Sequence, residues 1–349
     1  MSRKNKSQNN NKKTETQTFH LTVVTVVKDA IKHGRQQQLA NCIASVAMQT
    51  FSNIEHLFID GLSTDGTVEY IQSLAPTARN LRMISEKDRG IYDAMNKGFR
   101  NANGEYVVFL NSDDAFLYND SVEQVMKKLT EENADYSVAD AEVYSEDNSQ
   151  YLYTWAGLPD NIIFGVYPCH QTLFCRKKVL DEIGGLSEEY LANDNLSMCR
   201  LHFGRWKGIY VNVPIVAFHL GGFSQTMQQK TEALEEEHIK FLTELSASGI
   251  GYWDAKWFYG NRYFYKNADE MQELVQHVSN EKIRNFVRDV YLQYQKEQQA
   301  AAPQPANQAV EQPPQAVEQL QVVHAARPTV CKLRLFGILP FCAFPLSDF

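Results

Sequence analysis

Hydrophobic positions in the first half of the chain alternate between short apolar runs and segments with helical spacing. Residues 20–27 and 106–110 are typical of buried strands, because β-branched and aromatic side chains follow one another with few polar interruptions. Residues 54–60 and 81–85 predict two more strands, and residues 35–50 predict a helix that connects the first strand to the second. Strands that alternate with helices predict an α/β fold with a mixed, mainly parallel sheet flanked by helices.

The second half of the chain changes character. Residues 135–155 alternate as strands do, and residues 167–175 and 208–219 predict further strands. Between these last two, a loop leads into a helix that begins near Asp194. Residues 252–265 are dense in aromatic side chains, which favours packing onto the domain, with contact to lipid as the alternative.

Changes in composition divide the chain into five parts. The basic, Asn- and Gln-rich start is typical of a disordered tail, and the Gln-, Pro- and Ala-rich segment is typical of a flexible linker. The predicted parts are a disordered basic tail (1–19), an α/β domain (20–225), a helical extension (226–296), the linker (297–329) and an apolar C-terminal tail (330–349).

Composition narrows the function classes. The net charge of −8 and the pI of about 5.6 argue against a nucleic-acid partner, which needs a basic surface. The six cysteines form no CxxC pair and match no zinc spacing, so we expect reduced thiols in a cytosolic protein. No signal-peptide core follows the basic start, and no apolar run reaches the roughly 18 residues that cross a bilayer. The expected location is the cytoplasm, or the inner face of the membrane, where the apolar tail with Lys332 and Arg334 would meet the surface.

Acidic side chains follow the predicted strands at the point where each strand ends. Asp60 ends the second strand, Asp88 follows the third, and Asp113 and Asp114 follow the fourth. Ligands of such sheets bind at the carboxyl ends of the strands, so these acids should share one edge. Neighbouring carboxylates repel, and their burial is costly unless a cation pairs with them. A divalent metal would satisfy Asp113 and Asp114; alternatively, the two acids cap the next helix.

Two common phosphate-binding motifs are absent from the sequence. No GxGxxG follows the first strand, and no GxxxxGK[ST] occurs, which disfavours dinucleotide-dependent and P-loop chemistry. Phosphates bound at this edge would need another neutraliser, and a carboxylate-bound divalent metal suits them because hard cations prefer oxygen ligands.

Three strings, TVVTVV, IDGLSTDGT and SEKDRGIYDAMNKGFRNANGEYVVFLNSDD, together resemble the family 2 glycosyltransferases of the GT-A fold, most of all the bacterial members that build surface polysaccharides. The resemblance covers about residues 20–225, and residues 85–114 are its most specific part. It implies inverting transfer of a hexose from a nucleoside-diphosphate sugar, with a UDP-sugar favoured, assisted by Mn²⁺ or Mg²⁺. The implied acceptor is a hydroxyl of a glycan or a lipid-linked glycan.

The resemblance also implies the residues of the donor site. Asp113 matches the metal ligand that ends the family's DxD motif, whereas Asn111 replaces the first aspartate and adds no charge. His219, before two glycines, stands where some members complete the metal shell; a plain strand-end turn is the alternative. The implied donor-binding residues are Thr25, Val27, Asp60, Asp88, Arg89, Asn111, Ser112 and Asp113.

On the acceptor side, the resemblance implies a general base. Asp194 stands where the family keeps an acidic residue at a helix start, although Leu196 replaces a second acid that many members carry. An N-cap is the alternative for Asp194. His170 and Gln171 resemble a pair that lines the acceptor pocket, although a lone buried histidine is often only a core residue.

Two other functions are compatible with these patterns. Sugar nucleotidyltransferases share the sheet and the metal acids but expect a Gly-rich basic loop after the first strand, and residues 27–38 lack the glycines. A catalytically degenerate homologue that binds a glycan or acts as a scaffold is motivated by Asn111 and by Leu196.

Overall fold

The computed structural model describes residues 19–145, 150–222, 231–246 and 248–260, together with residues 285 and 288. The predicted linker and apolar C-terminal tail, and nearly all of the basic tail, lie outside these residues, as does most of the helical extension beyond residue 260.

Within the described residues, nine strands and a set of helices follow one another in the predicted alternation. The strands are β1 (Phe19–Val27), β2 (Ile54–Asp60), β3 (Leu81–Ser85), β4 (Gly104–Phe109), β5 (Ala115–Phe116), β6 (Tyr136–Tyr144), β7 (Tyr151–Trp155), β8 (Phe174–Arg176) and β9 (Gly208–His219). The α-helices are α1 (Gln36–Ala47), α2 (Thr67–Leu74), α3 (Ile91–Asn101), α4 (Ser121–Glu131), α5 (Lys177–Glu182), α6 (Asn193–His202), α7 (Thr231–Thr243) and α8 (Tyr252–Gly260).

The strands form one mixed sheet in the order β3-β2-β1-β4-β8-β6-β9-β5, with β7 paired to β6. The first four of these are parallel to one another, and β6 is parallel to β9. Strand β8 runs antiparallel to both of its neighbours, and β5 runs antiparallel to β9. The predicted α/β fold with a mainly parallel sheet is confirmed. Strands β1, β2 and β3 begin and end within one residue of the prediction, whereas β4 begins two residues earlier than predicted.

The sheet is covered on both faces, which explains why its strands appear in the sequence as nearly continuous apolar runs. Successive residues of β1 point to opposite faces: Val23 packs with α1 and α4, whereas Val24 packs with α3. On the second face, α6, α7 and α8 extend the core, where Phe258 is fully buried. None of the described helices is long and apolar enough to span a bilayer.

Two predicted segments differ in detail. Residues 167–175 are predicted as one strand, but a 3₁₀ turn covers His170–Thr172 and only the last residues join β8. The reason is local, because the Thr172 hydroxyl donates to the carbonyls of Cys169 and Ala139, both at 2.8 Å, and so competes with a regular strand ladder. In the aromatic segment, Tyr259 is buried as packing predicts, whereas Trp253 is 77% exposed.

Gly98 allows α3 to lie directly on the sheet. A Cβ atom added there would overlap Cγ1 of Val24 and lie 3.4 Å from Cγ1 of Ile59. Both side chains are almost completely buried, so neither can move without disturbing β1 or β2. We therefore expect Gly98→Ala to lower the free energy of unfolding by about 1–3 kcal/mol, measured by urea denaturation. The loss should shrink in a Val24→Ala background, where the overlap is removed; an equal loss in both backgrounds would contradict this packing.

Candidate active site

Strands β1 to β4 end at one edge of the sheet, because they are parallel neighbours. The turns that follow β1 and β2 are joined there by hydrogen bonds. The backbone N–H of Asp29 donates to Ser63 Oγ at 2.8 Å, and the N–H of Thr64 donates to the Asp29 carboxylate at 3.1 Å. These contacts hold two loops of the edge in a fixed relation, with Asp29 and Leu62 both at positive φ.

Asp60 lies at the centre of this edge and is completely buried. Its carboxylate accepts hydrogen bonds from the hydroxyls of Ser63 and Ser85 at 2.5 and 2.6 Å and from the Ser63 N–H. Asp88 lies beside it, against Gly61, where an added Cβ would overlap the Asp88 carboxylate. Asp60 and Asp88 are therefore neighbours on the edge, as the sequence predicts from the strand ends.

Three other predicted donor residues lie in different surroundings. The side chain of Thr25 is fully buried, with its hydroxyl 3.0 Å from Nε2 of His56. Val27 packs into a small apolar cluster with Phe58, so only the backbone of these two positions is left for a ligand. Arg89 is 73% exposed and pairs with Asp93 at 2.9 Å and with Glu188.

Asp114 is the buried member of the acid pair, with 2% exposure. Its carboxylate accepts from Gln171 Nε2 at 2.5 Å, from the His219 N–H at 2.6 Å and from Asn111 Nδ2 at 3.4 Å. Helix α4 begins only at Ser121, so the helix-cap interpretation of the two acids is wrong. Asp114 instead joins the end of β4 to the 3₁₀ turn and to the end of β9.

Asp113 lies next to it, in the turn with Ser112, and is 15% exposed. Its carboxylate accepts from Arg35 Nη1 at 2.7 Å. Burial raises the pKa of Asp113 to about 6, and the charge of Asp114 adds to this, while Arg35 and His219 oppose it. The carboxylate therefore lies where a positive charge is strongly favoured.

The His219 ring contacts both Asp113 and Asp114, the first through its backbone carbonyl and the second through its carboxylate. Its Nδ1 lies 2.9 Å from the Asp113 carbonyl oxygen and 3.2 Å from a carboxylate oxygen of Asp114. Burial by itself would lower the pKa of His219, but the hydrogen bond and charge of Asp114 and the contacts with Asp113 raise it overall. In the neutral ring, with Nδ1–H donating to that carbonyl, Nε2 keeps its lone pair and can bind a metal.

Asp113 and His219 offer the kinds of atom that divalent cations bind, a carboxylate oxygen and an imidazole nitrogen. Among the residues that the structure describes, no three His, Cys, Asp or Glu side chains converge on one metal position. A metal held by this pair would need further ligands, for which the phosphates of a bound nucleotide are suitable.

Asp194 lies in the first turn of α6, and Ala192 occupies the N-cap without any capping side chain. The N-cap interpretation of Asp194 is therefore wrong. Its carboxylate accepts from the Tyr92 hydroxyl at 2.9 Å and lies 3.5 Å from Nδ1 of His170. Burial and the neighbouring Asp194 both raise the pKa of Tyr92, so its hydroxyl stays a neutral donor. Asp194 and His170 are 23% and 18% exposed, so solutes can reach both.

The structure adds two residues that sequence reasoning missed. Tyr92 holds the Asp194 carboxylate, and Arg35 pairs with Asp113. Tyr92 belongs to the specific string at residues 85–114, which was a signal for a role in the site. Arg35 follows a glycine at a helix start after β1, where anions are commonly bound, and that position was a weaker signal.

Gln171 holds the site together from inside and is fully buried, unlike its neighbour His170. It accepts from the N–H of Asn111 at 2.8 Å while it donates to Asp114. Gln171→Leu would leave the Asn111 N–H and the Asp114 carboxylate each without one hydrogen-bond partner. We therefore expect the free energy of unfolding to fall by about 1–3 kcal/mol. Gln72→Leu, on the exposed face of α2, should stay within about 0.5 kcal/mol of wild type in the same denaturation experiment.

Comparison with known proteins finds relatives in sequence and in fold. The model of the family "Glycosyl transferase family 2" matches residues 22–184. The PGL/p-HBAD biosynthesis glycosyltransferase of Mycobacterium bovis is 29% identical over 219 residues, which is 61% of this chain and 81% of that protein. Glycosyltransferase GlyA of Streptococcus pneumoniae is 31% identical over 132 residues, 38% of this chain but only 18% of that protein.

Among solved structures, TarS 1–349 of S. aureus in complex with UDP-GlcNAc superposes with a TM-score of 0.56. The match covers 81% of this chain and 83% of that one at 15% identity, so it shows the fold alone. The chain spans less than half, 44%, of a longer TarS structure. Residues 22–184 thus match glycosyl transferase family 2, and the described part of the chain has the GT-A fold of these solved structures.

Proposed function

We propose that this protein transfers a sugar from a nucleoside-diphosphate sugar to an acceptor hydroxyl, with inversion at the anomeric carbon. The observation that carries the proposal is the presence of two separate acidic centres in one family 2 domain. Asp113 lies beside His219 after β4, and Asp194 lies at the start of α6 with its own hydrogen-bond donor. The Asp113 centre could stabilise a charged leaving group through a bound metal, and Asp194 could remove a proton from the acceptor.

At the donor centre, Asp113 and His219 would hold Mn²⁺ or Mg²⁺. Such a metal supplies positive charge that stabilises the departing diphosphate. Asp60 and Asp88, at the neighbouring strand ends, would form the nucleoside side of the site, with Arg89 and Asn111 at its margins. Because Asp60 is completely buried, its hydrogen bonds with Ser63 and Ser85 would hold this part of the site in a fixed position.

At the acceptor centre, Asp194 would take the proton of the attacking hydroxyl. The Tyr92 hydroxyl fixes Oδ1 of the carboxylate, and Oδ2 lies on the side of His170. As the acceptor oxygen attacks the anomeric carbon, its proton passes to Asp194 and the bond to the diphosphate breaks. One displacement of this kind inverts the configuration and needs no covalent intermediate.

We propose a UDP-sugar as the donor and a glycan or lipid-linked glycan as the acceptor, in bacterial surface-polysaccharide or glycolipid synthesis. Support for the donor comes from the fold shared with TarS, which has been solved with UDP-GlcNAc. Support for the pathway class comes from the names of the relatives, one of which acts in PGL/p-HBAD biosynthesis. The reaction would take place in the cytoplasm or at the inner face of the membrane.

Calorimetric titration of the full chain with UDP and GDP, with Mn²⁺ and then with chelator, tests the proposal. We expect UDP to bind in the presence of Mn²⁺ and to bind at least about tenfold more weakly in chelator, because the metal bridges protein and phosphates. A folded protein that binds neither nucleotide would contradict the proposal and would favour the glycan-binding scaffold.

A further inference from the structure

Arg35 joins three distant segments of the chain at the donor centre. Its Nη1 donates to the Asp113 carboxylate at 2.7 Å, and its Nη2 donates to the carbonyl oxygen of Gly221 at 2.8 Å. The side chain is 35% exposed, so it is open to solvent on one side. Gly222 lies beside the same carboxylate, and an added Cβ would be in ordinary van der Waals contact with it at 3.5 Å.

The backbone of the preceding turn aims this side chain at the sheet edge. Gly34 has φ of +70°, and its N–H donates to the Ile31 carbonyl at 3.0 Å. The N–H of Arg35 then donates to the Ala30 carbonyl at 2.9 Å, and α1 begins at the next residue. Arg35 therefore extends from a fixed turn, and its guanidinium position does not depend on a flexible loop.

A divalent metal bound here would compete with Arg35 for the Asp113 carboxylate. Asp113 accepts its charged hydrogen bond from Arg35, and it is also the carboxylate that fits the metal. Metal binding would weaken the Arg35–Asp113 pair, because two cations at one carboxylate repel. The released guanidinium would then lie within reach of the phosphates that the metal binds, and its planar fork matches phosphate oxygens.

We propose that Arg35 is a further donor-binding residue, which pairs with Asp113 until a metal takes that carboxylate and then binds the diphosphate of the nucleotide sugar. This inference rests on the proposed function. It predicts that substitution of Arg35 has two opposite effects: the affinity for the metal rises and the affinity for the diphosphate falls.

The test compares wild type, Arg35→Gln and Arg35→Lys in three titrations of the full chain. With Mn²⁺ alone, followed by electron paramagnetic resonance of the free ion, Arg35→Gln should bind about 3–10-fold more tightly, because its internal competitor is gone. With UDP in the presence of saturating Mn²⁺, it should bind about 10–100-fold more weakly. With uridine, which has no phosphates, it should bind within about twofold of wild type. The affinities of Arg35→Lys for Mn²⁺ and UDP should lie between those of wild type and Arg35→Gln.

Arg205→Gln is the matched control, because Arg205 is 77% exposed and pairs with Glu182 on another surface. It should leave all three titrations unchanged. Arg35→Gln overturns the inference if it binds Mn²⁺ no better than wild type, if it binds UDP equally well, or if it loses uridine and Mn²⁺ binding together, as a merely structural residue would. Wild type that binds neither UDP nor GDP would overturn the proposed function itself, and the inference with it.

Discussion

Replacing Asp113 with asparagine should abolish metal-dependent nucleotide binding and lower the transfer rate by about 10²–10³-fold. The substitution keeps the size of the side chain and removes the negative charge that both Arg35 and a metal require. Buried Asp114 would remain, but its oxygens already accept from Gln171 and from the His219 amide, so it cannot take over. Calorimetry with UDP and Mn²⁺, and a transfer assay with the same preparation, measure the two effects.

Asp181→Asn is the control for this experiment. Asp181 is exposed and lies near Glu105 and Arg176, at the opposite end of β4 from Asp113. The same loss of one carboxylate there should change neither binding nor rate. If Asp113→Asn kept metal-dependent binding, the metal would have to be held elsewhere and our assignment of this edge would be wrong.

Replacing Asp194 with asparagine should lower kcat by about 10²–10⁴-fold and leave the affinity for UDP within about twofold. The amide keeps a hydrogen-bond acceptor for Tyr92 but cannot take a proton from the acceptor. Tyr92→Phe is a milder substitution at the same site, because it keeps the Asp194 carboxylate and removes only the hydrogen bond at 2.9 Å that orients it. We expect it to cost about 10-fold in kcat.

The separation of binding from rate distinguishes a base from a structural residue. Steady-state kinetics, together with calorimetry of UDP, give the two quantities independently. A folded Asp194→Asn protein with wild-type kcat would show that another group removes the acceptor proton. Equal losses of rate and UDP affinity would show that Asp194 supports the donor site instead.

Local pattern predicts much of this fold. Strands β1, β2 and β4 are almost fully buried, so their apolar runs identify them directly, and the parallel order of β1 to β4 places Asp60, Asp88 and Asp113 at one edge. The specific string at residues 85–114 also predicts the family. A pattern of apolar and polar residues shows which segments are buried. That is enough to predict the strands and helices and the edge of the sheet at which the acids lie.

The partners within the site could not be predicted in the same way. Arg35 and Asp113 are 78 positions apart, and the Asp194 carboxylate meets Tyr92 across 102 positions. The first contact depends on the pairing of β4 with β1 out of chain order, and the second on the packing of α3 and α6 in one core, neither of which a local pattern states. The division between Asp113 and Asp114 also depends on burial set by distant segments, so their adjacent positions in the sequence could not separate their roles.

The bonds of Asp114 also bear on how the protein folds. Its partners Gln171 and His219 come from segments 57 and 105 positions away, so the donor centre is made of contacts with high contact order. Although the family match ends at residue 184, β9 pairs with β6 and with β5 and brings the His219 amide to Asp114. The cooperative unit therefore extends to residue 219 at least. On the ribosome, the donor centre would form only after β9 has emerged, as one of the last steps of folding.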